Sequence, residues 1–226
     1  DDIQKLNSKN ARTIEPELKC KSALFSPSTG IFDFHSYMLS LQGDAENNGA
    51  VFAFKTAVVG GFIFQDSIQI NVQIEKNEMS LLCKTLINCA GLGAQKLASS
   101  IQGFPNELIP SQFLAKGNYF SLKGKAPFSH LIYPVPSKAS LGTHFTRDLG
   151  GQGRFGPDLQ WIDEINYDVD PGRAKKFFSA IKRYWPNIEE KSLCASYSGI
   201  RPKIHSKHEK IADFLIQDSS THGFNS

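Results

Sequence analysis

The sequence predicts an α+β fold in which helices flank a large, mainly antiparallel sheet. Period-two alternation of apolar and polar residues indicates strands in two blocks, at residues 51–89 and 112–151. Helical patterns do not alternate regularly with these strands, as they would around a parallel sheet. Seventeen Phe against two Met and two Trp indicate a core built on aromatic rings, which are common in β-rich proteins.

The first fifty residues predict two helices separated by a strand. Residues 1–19 are polar and predict a short helix, and residues 22–34 predict a strand followed by a Pro/Ser/Thr/Gly turn. Asp33 is suited to cap the helix that follows, residues 34–49, where apolar residues recur at a spacing of three to four.

The first β-rich block predicts three strands, at residues 51–58, 61–74 and 79–90. The natural turns between them are Gly60-Gly61 and the polar residues 75–78. A short helix is expected from about Gly93 to Ile101, followed by a proline-bounded loop.

The second β-rich block predicts strands within residues 112–124, 130–136 and 141–151. A helix is expected from Pro171 to Tyr184, because apolar residues fall on one face and proline suits a first helical turn. Residues 210–218 predict a last strand.

Composition excludes several classes of function. The net charge is only +3 and no Lys/Arg-rich run occurs, so we expect no nucleic-acid partner. The four cysteines form no CxxC pair, and His205 and His208 lie among lysines, so no metal site is expected. Three of the four cysteines lie in apolar or strand-like surroundings, which favours reduced thiols and a reducing, cytoplasmic location over a disulfide. No apolar run reaches the length of a transmembrane segment.

Two glycine-rich stretches resemble parts of a dinucleotide-binding turn. Gly91 and Gly93 follow an apolar segment, but Lys96 occupies the third glycine position, so spacing alone favours an ordinary strand–turn–helix connection. Residues 151–156 match G-x-G-x-x-G in full. They follow a loop and precede Pro157 instead of opening a helix, so we expect a hairpin turn there.

Two side chains stand in positions that favour chemistry. Arg201 lies between a glycine-containing turn and a proline, and a guanidinium held in this way suits a forked contact with a carboxylate. A surface arginine beside proline is the alternative. His144 and Thr146 share one face of a predicted strand, where a buried, hydrogen-bonded histidine is the alternative to a functional one.

Longer segments of the chain resemble a known family in their order. They are EPELKCKSALFSPSTGIFDF, LINCAGLGAQKLA, AKGNYFSL, LIYPVPSKASLGTHFTRDLGGQGRFGPD and YSGIRPKI. Together they resemble the L-2-hydroxyglutarate dehydrogenase/oxidase branch of the D-amino-acid-oxidase-like flavoprotein superfamily, over nearly the whole chain. The run from IYPVP to FGPD, with SGIRPK, is specific, whereas INCAG is shared by many flavoproteins.

The resemblance implies an FAD-dependent enzyme that oxidises a 2-hydroxy acid, expected to be L-2-hydroxyglutarate, to a 2-oxo acid by hydride transfer to the flavin. The alternatives are an amino-acid or glycerol-3-phosphate oxidase of the same superfamily, or a catalytically inactive fragment. The resemblance also implies a substrate domain at residues 1–80 and 111–205. Residues 81–110 and 206–226 would belong to an incomplete FAD-binding domain.

The resemblance also assigns expected roles to residues of the substrate domain. His144 is the expected acceptor of the substrate's hydroxyl proton, because imidazole exchanges protons near neutral pH. Arg201 is expected to clamp the substrate carboxylate or to organise the wall that faces the flavin. Lys116 and Tyr119 are expected near a distal carboxylate, with Tyr133 as a further substrate-binding residue. The branch often has Arg where Lys116 stands, which leaves dicarboxylate specificity open.

The expected cofactor contacts lie where the chain returns to the flavin domain. Asn88, Ala90 and Gly91 would approach FAD there through the backbone. Relatives begin with a strand–GxGxxG–helix unit and end with a glycine-rich segment, and neither matches this sequence. We therefore expect an internal fragment that alone binds FAD weakly or not at all and that works with complementing FAD-domain polypeptides.

Overall fold

A computed structural model describes residues 2–135 and 142–223 of the chain. Its strands are β1 (Gln4–Asn7), β2 (Ser22–Phe25), β3 (Thr56–Ile63), β4 (Ile68–Ile74), β5 (Asn77–Cys83), β6 (Ile101–Gln102), β7 (Phe113–Leu122), β8 (Phe145–Arg147), β9 (Gly153–Phe155), β10 (Gln160–Ile162) and β11 (Leu193–Lys203). Its α-helices are α1 (Ser8–Ile14), α2 (Phe34–Asn47), α3 (Ala94–Ser99), α4 (Ala174–Ile181) and α5 (Ser219–His222).

The chain divides into two structural units. Unit 1 comprises Asp1–Leu39 and Ala115–Ile200, and unit 2 comprises Ser40–Leu114 and Arg201–Ser226. Both units contain antiparallel strands together with helices, so the predicted α+β class is confirmed. The assignment of substrate and FAD roles to particular segments stays a prediction.

The main sheet of unit 1 follows the order β10-β7-β9-β8, and β11 also pairs with β7. Antiparallel pairing aligns Phe120 with Phe155 and, on the next strand, Phe155 with Phe145. The adjacent cross-strand row consists of Ser121, Arg154 and Thr146. Because side chains alternate along a strand, these two rows lie on opposite faces of the sheet.

The core of unit 1 covers the phenylalanine face of this sheet. α4 buries Phe177 and Ile181 completely, and the ring centroids of Phe120 and Phe177 are 4.6 Å apart. The Phe145 and Phe155 rings are 5.4 Å apart by the same measure. The predicted aromatic core is confirmed, and α4 with the 3-10 turn before it occupies most of the predicted helix 171–184.

The N-terminal segment corrects one prediction. Residues 1–19 do not form a single helix, because β1 pairs antiparallel with β2 and only α1 is helical. The Asn7 side chain accepts a hydrogen bond from the Asn10 backbone N–H at 2.9 Å, which caps α1 directly after the strand.

The predicted capping of α2 by Asp33 is confirmed. Its carboxylate accepts hydrogen bonds from the backbone N–H groups of His35 and Ser36, each at 3.1 Å. The bond from the Ser36 backbone is the main cause that lowers the pKa of Asp33 below its ordinary value. A charged carboxylate is therefore favoured at this helix start.

Unit 2 contains an antiparallel meander of β3, β4 and β5, with β6 parallel to β3. The predicted turn at residues 75–78 is confirmed, with Glu75 at φ +54°. The predicted turn at Gly60-Gly61 is wrong, because both glycines lie inside β3 beside a register shift. A Cβ on Gly61 would lie 2.3 Å from the carbonyl oxygen of Gln69, so close strand packing requires glycine there.

The C-terminal part of unit 2 corrects another prediction. Residues 210–218 form neither strand nor helix, although their apolar pattern predicts a strand. Ile211, Phe214 and Ile216 are exposed. A strand needs a hydrogen-bonding neighbour, and no such pairing is formed by this described segment.

Candidate functional site

The polar face of the unit 1 sheet brings together several predicted site residues. Tyr119 precedes the phenylalanine row on β7, and His144 directly precedes β8, so both project on the face opposite the core. Ser121, Arg154 and Thr146 form a row across the same face, and all three are half-buried. We call this surface the polar sheet face.

The backbone around His144 is fixed from both sides. The backbone N–H of Gly156 donates to the His144 carbonyl at 3.0 Å. The buried Tyr184 hydroxyl donates to the carbonyl of the preceding Thr143, also at 3.0 Å. Burial raises the pKa of Tyr184 above its usual range, which keeps this hydroxyl protonated as a donor. The His144 imidazole is thus attached to a backbone segment that hydrogen bonds fix on both sides.

Tyr133 lies beside His144, as a shared position on this face requires. An isolated bridge between Ile132 and Phe145 aligns the two segments. The Tyr133 and His144 ring centroids are 4.1 Å apart, with the planes tilted by 45°. Tyr133 remains 57% exposed, so its phenol is accessible to a small molecule at this face.

A second group on the polar sheet face consists of Tyr119, Tyr197, Arg154 and Asp148, which we call the Arg154 cluster. The Tyr119 and Tyr197 rings stack at 4.6 Å with 9° between their planes. The Arg154 guanidinium lies 5.5 Å from the centroid of the Tyr197 ring, a cation–π distance. Its Nη2 donates to the Asp148 carboxylate at 2.8 Å.

Arg154 and Tyr197 were not predicted from the sequence as site residues. Arg154 lies inside the glycine run at residues 151–156, and the prediction for this run considered only the spacing of its glycines. Strand alternation was the available signal, because a buried Phe155 places its neighbour on the opposite face. Tyr197 had no comparable signal, since its contact with Tyr119 depends on strands far apart in the sequence.

Lys116 occupies the other face of β7. Its side chain is buried, and its ammonium group donates to the backbone carbonyl of Asp168. The neighbouring Asn118 donates from its side chain to Asp158 at 2.9 Å, and Arg173 also pairs with that carboxylate. Lys116 is thus held among interior polar groups, and its expected contact with a substrate carboxylate stays a prediction.

The predicted cofactor-contacting residues lie in unit 2, before α3. The Asn88 side chain accepts from the Ala90 backbone N–H at 3.2 Å and donates to the Ala94 carbonyl at 2.8 Å. Gly91 adopts φ +56°, and a Cβ built on it would meet nothing within 4 Å. This accessible backbone fits the edge of a dinucleotide such as FAD, although the role of these residues stays a prediction.

The glycines at 151–156 serve the hairpin between β8 and β9, as expected. Gly151 takes φ +82° in the turn, where its N–H donates to the Asp148 carbonyl at 2.9 Å. A Cβ on Gly153 would lie 2.8 Å from the Phe145 ring, and one on Gly156 would lie 2.7 Å from the Tyr119 ring. Close packing thus explains these glycines, and they do not fit a diphosphate at a helix start.

Arg201 is exposed near the end of β11 and belongs to unit 2. The other predicted substrate-binding residues, and His144, belong to unit 1. The expected contact of Arg201 with a substrate carboxylate stays a prediction.

Unit 1 contains a depression of about 800 Å³ that borders the polar sheet face at Ser121. Its lining includes Glu15, Lys123, Lys125, Ser129 and Arg147. None of the predicted site residues contributes to it, so we do not place the substrate there. Among the described residues, no group of His, Cys, Asp or Glu side chains is arranged to hold a metal ion.

Comparison with known proteins decides the family. A family model described as FAD dependent oxidoreductase matches residues 1–224. The chain belongs to this family. FAD is accordingly the cofactor of the complete protein, as the sequence segments predicted.

Curated relatives of this chain confirm the predicted resemblance. The mitochondrial L-2-hydroxyglutarate dehydrogenase of Arabidopsis thaliana is 37% identical over 260 residues, covering 98% of this chain and 54% of the relative. The L-2-hydroxyglutarate dehydrogenase of Indibacter alkaliphilus is 32% identical, covering 90% of this chain and 59% of the relative. The chain thus spans little more than half the length of these two relatives.

Solved structures share the fold at low sequence identity. Glycine oxidase from Geobacillus kaustophilus has a TM-score of 0.73 and 18% identity, covering 98% of this chain and 56% of that one. L-α-glycerophosphate oxidase from Mycoplasma pneumoniae, solved with FAD bound, has a TM-score of 0.70 and 18% identity, covering 92% and 55%. At such identity, these likenesses concern the fold alone.

The expected cytoplasmic location stays a prediction, because the Arabidopsis relative is named as mitochondrial. Across the described ranges, no helix has both the length and the apolar character needed to cross a membrane.

Proposed function

We propose that this chain forms the substrate-binding part of an FAD-dependent enzyme that oxidises a 2-hydroxy acid, with L-2-hydroxyglutarate as substrate, to a 2-oxo acid. The observation that carries the proposal is the position of His144 on the polar sheet face, beside Tyr133 at 4.1 Å between ring centroids. Its support from similarity is the 37% identity to an L-2-hydroxyglutarate dehydrogenase across 98% of the chain.

In the proposed reaction, the His144 imidazole accepts the proton of the substrate hydroxyl. Anchoring of the adjacent backbone by Tyr184 and Gly156 keeps the ring in one position relative to the substrate. Tyr133 covers the substrate from the side. When bound, FAD would supply the two-electron oxidation of the substrate's hydroxyl-bearing carbon. Asn88, Ala90 and Gly91 are the residues that would hold the cofactor through the backbone.

The whole reaction requires FAD to be held, and we propose that complementing FAD-domain polypeptides contribute to this. Gly91 offers an accessible backbone for one edge of the cofactor. In contrast, the only run that matches G-x-G-x-x-G forms a hairpin within unit 1. The chain alone is therefore expected to retain little flavin, which absorbance of the purified protein measures directly.

Dye reduction by the FAD-loaded protein tests the proposal. The protein is assayed alone and with complementing polypeptides, using L-2-hydroxyglutarate, glycerol 3-phosphate and glycine as substrates. Reduction with L-2-hydroxyglutarate supports the proposed function. Activity with only glycerol 3-phosphate or glycine would favour the second candidate, an amino-acid or glycerol-3-phosphate oxidase of the same superfamily. No activity after flavin loading would favour an inactive fragment.

The role of His144 is tested by His144→Asn. We expect kcat with L-2-hydroxyglutarate to fall about 100-fold or more, because general-base catalysis typically contributes that much. His208→Asn, which alters an exposed histidine in unit 2, serves as the matched control and should retain kcat. If His144→Asn kept full activity, His144 would not be the proton acceptor.

A further inference from the structure

Arg154 is a cation placed on the same face as His144. Thr146 stands directly opposite Arg154 in the antiparallel ladder, and His144 lies two residues before Thr146. His144 is therefore a diagonal neighbour of Arg154, at about 7–8 Å between Cα atoms in such a pairing. Long side chains at these positions reach opposite ends of one small molecule.

Two neighbours hold the Arg154 guanidinium in place. Asp148 accepts from Nη2 at 2.8 Å, while its other carboxylate oxygen accepts from the Gln152 backbone N–H at 3.0 Å. The Tyr197 ring lies under the guanidinium and is itself stacked on Tyr119. Because the ring and the carboxylate restrict its rotamers, Arg154 loses little further conformational freedom when it binds a ligand.

The position of Arg154 also suits the binding of an anion. A guanidinium carries five N–H donors in a planar fork, so one engaged with Asp148 through Nη2 can still donate to a second carboxylate. The Arg154 side chain is 32% exposed, so it is partly shielded from water and remains accessible. Partial shielding strengthens a charge-assisted hydrogen bond relative to one on the open surface.

We propose that Arg154 binds the substrate carboxylate remote from the reacting carbon and thereby makes the site selective for dicarboxylic 2-hydroxy acids. The proposal rests on the proposed function, in which His144 meets the hydroxyl group of the same molecule. It assigns the distal carboxylate to the polar sheet face, whereas Lys116 is engaged with Asp168 on the opposite face.

Paired substrates test this assignment in the FAD-loaded protein. L-2-hydroxyglutarate is compared with its monoamide, in which a neutral carboxamide replaces the distal carboxylate. Arg154→Ala is expected to lower kcat/KM about 10- to 100-fold for the dicarboxylate, the range lost with a charge-assisted hydrogen bond, and to change the monoamide value little. Arg154→Lys should restore part of the dicarboxylate activity, because it retains the charge without the fork.

The controls separate the two levels of the proposal. Arg12→Ala removes an exposed positive charge on α1 and should leave both kcat/KM values unchanged. If the parent protein oxidises neither substrate, the proposed function fails. If the parent oxidises them but Arg154→Ala lowers kcat/KM equally for acid and amide, or for neither, the role of Arg154 is overturned.

Discussion

The two faces of the unit 1 sheet carry opposite chemistry on the same three strands. On one face, Phe120, Phe145 and Phe155 form a cross-strand row with at most 1% of each residue exposed. On the other face, Arg154 and its cross-strand neighbours are polar and half-buried. The same backbone hydrogen bonds between these strands therefore align the phenylalanine side chains of the core and set the positions of the polar side chains.

On each strand, a residue that contributes to stability and a residue placed for chemistry are direct neighbours in the sequence. β9 shows this most clearly, because its sequence Gly-Arg-Phe places two core-facing residues around Arg154. Changes on the core face should lower stability, whereas changes on the polar sheet face should alter substrate handling. The following variants test this division.

Phe155→Ala should have the largest effect. Removing a fully buried ring beside Phe145 and Trp185 leaves a cavity, and such substitutions cost about 3–5 kcal/mol in the free energy of unfolding. Denaturant unfolding measures the loss. Ser121→Ala on the polar sheet face is the control and should change the value by less than about 0.5 kcal/mol. Equal losses in both variants would contradict the division.

Gly153→Ala should have an intermediate effect on the free energy of unfolding, because it adds a methyl group to the tightly packed core face of the sheet. The new Cβ would lie 2.8 Å from the Phe145 ring, and overpacking of this kind costs about 1–3 kcal/mol. Thermal unfolding provides the measurement. An unchanged melting temperature would show that the Phe145 ring moves aside without cost.

Tyr184→Phe should have the smallest effect at neutral pH. It leaves the Thr143 carbonyl without the hydroxyl that lies 3.0 Å away, at a cost of about 1 kcal/mol in the free energy of unfolding. Because the same contact anchors the backbone of Thr143, directly before His144, we also expect a lower kcat in the FAD-loaded protein.

Tyr184→Phe also tests how the buried hydroxyl affects stability at alkaline pH. Burial raises the pKa of Tyr184 above its ordinary value of 10.0, so above that pH the unfolded chain releases a proton that the folded chain retains. Stability of the parent protein should fall, by up to about 1.4 kcal/mol for each pH unit, relative to Tyr184→Phe. Parallel stability curves for the two proteins above pH 10.0 would contradict this account.

Much of the fold was predictable because its signals are local. Alternation located β4 and β7, the Asp33 cap located α2, and the abundance of phenylalanine indicated the aromatic core. The strand predicted at residues 79–90 was right only in part, because β5 ends at Cys83. The hairpin at 151–156 was also predictable, since a dinucleotide fingerprint must follow a buried strand and open a helix, whereas this run follows a loop and no helical pattern begins after it.

The failures have a common physical cause. Gly60 and Gly61 have turn-forming composition, yet contacts with neighbouring strands place them inside β3. Residues 210–218 have strand-like composition, yet they form no pairing in the structure. The N-terminal residues form β1 because β2 lies beside them. In each case, the presence or absence of a pairing strand elsewhere in the chain decides the local conformation.

Motif order and side-chain alternation are properties of continuous segments. The sequence alone therefore predicted the family, the cofactor of the complete protein and the shared strand face of His144 and Thr146. Only the tertiary structure decided that Lys116 lies among interior groups and that Arg154 stacks on Tyr197 beside the predicted site. These placements depend on which strands pair and in which register, and that information is distributed over the whole chain.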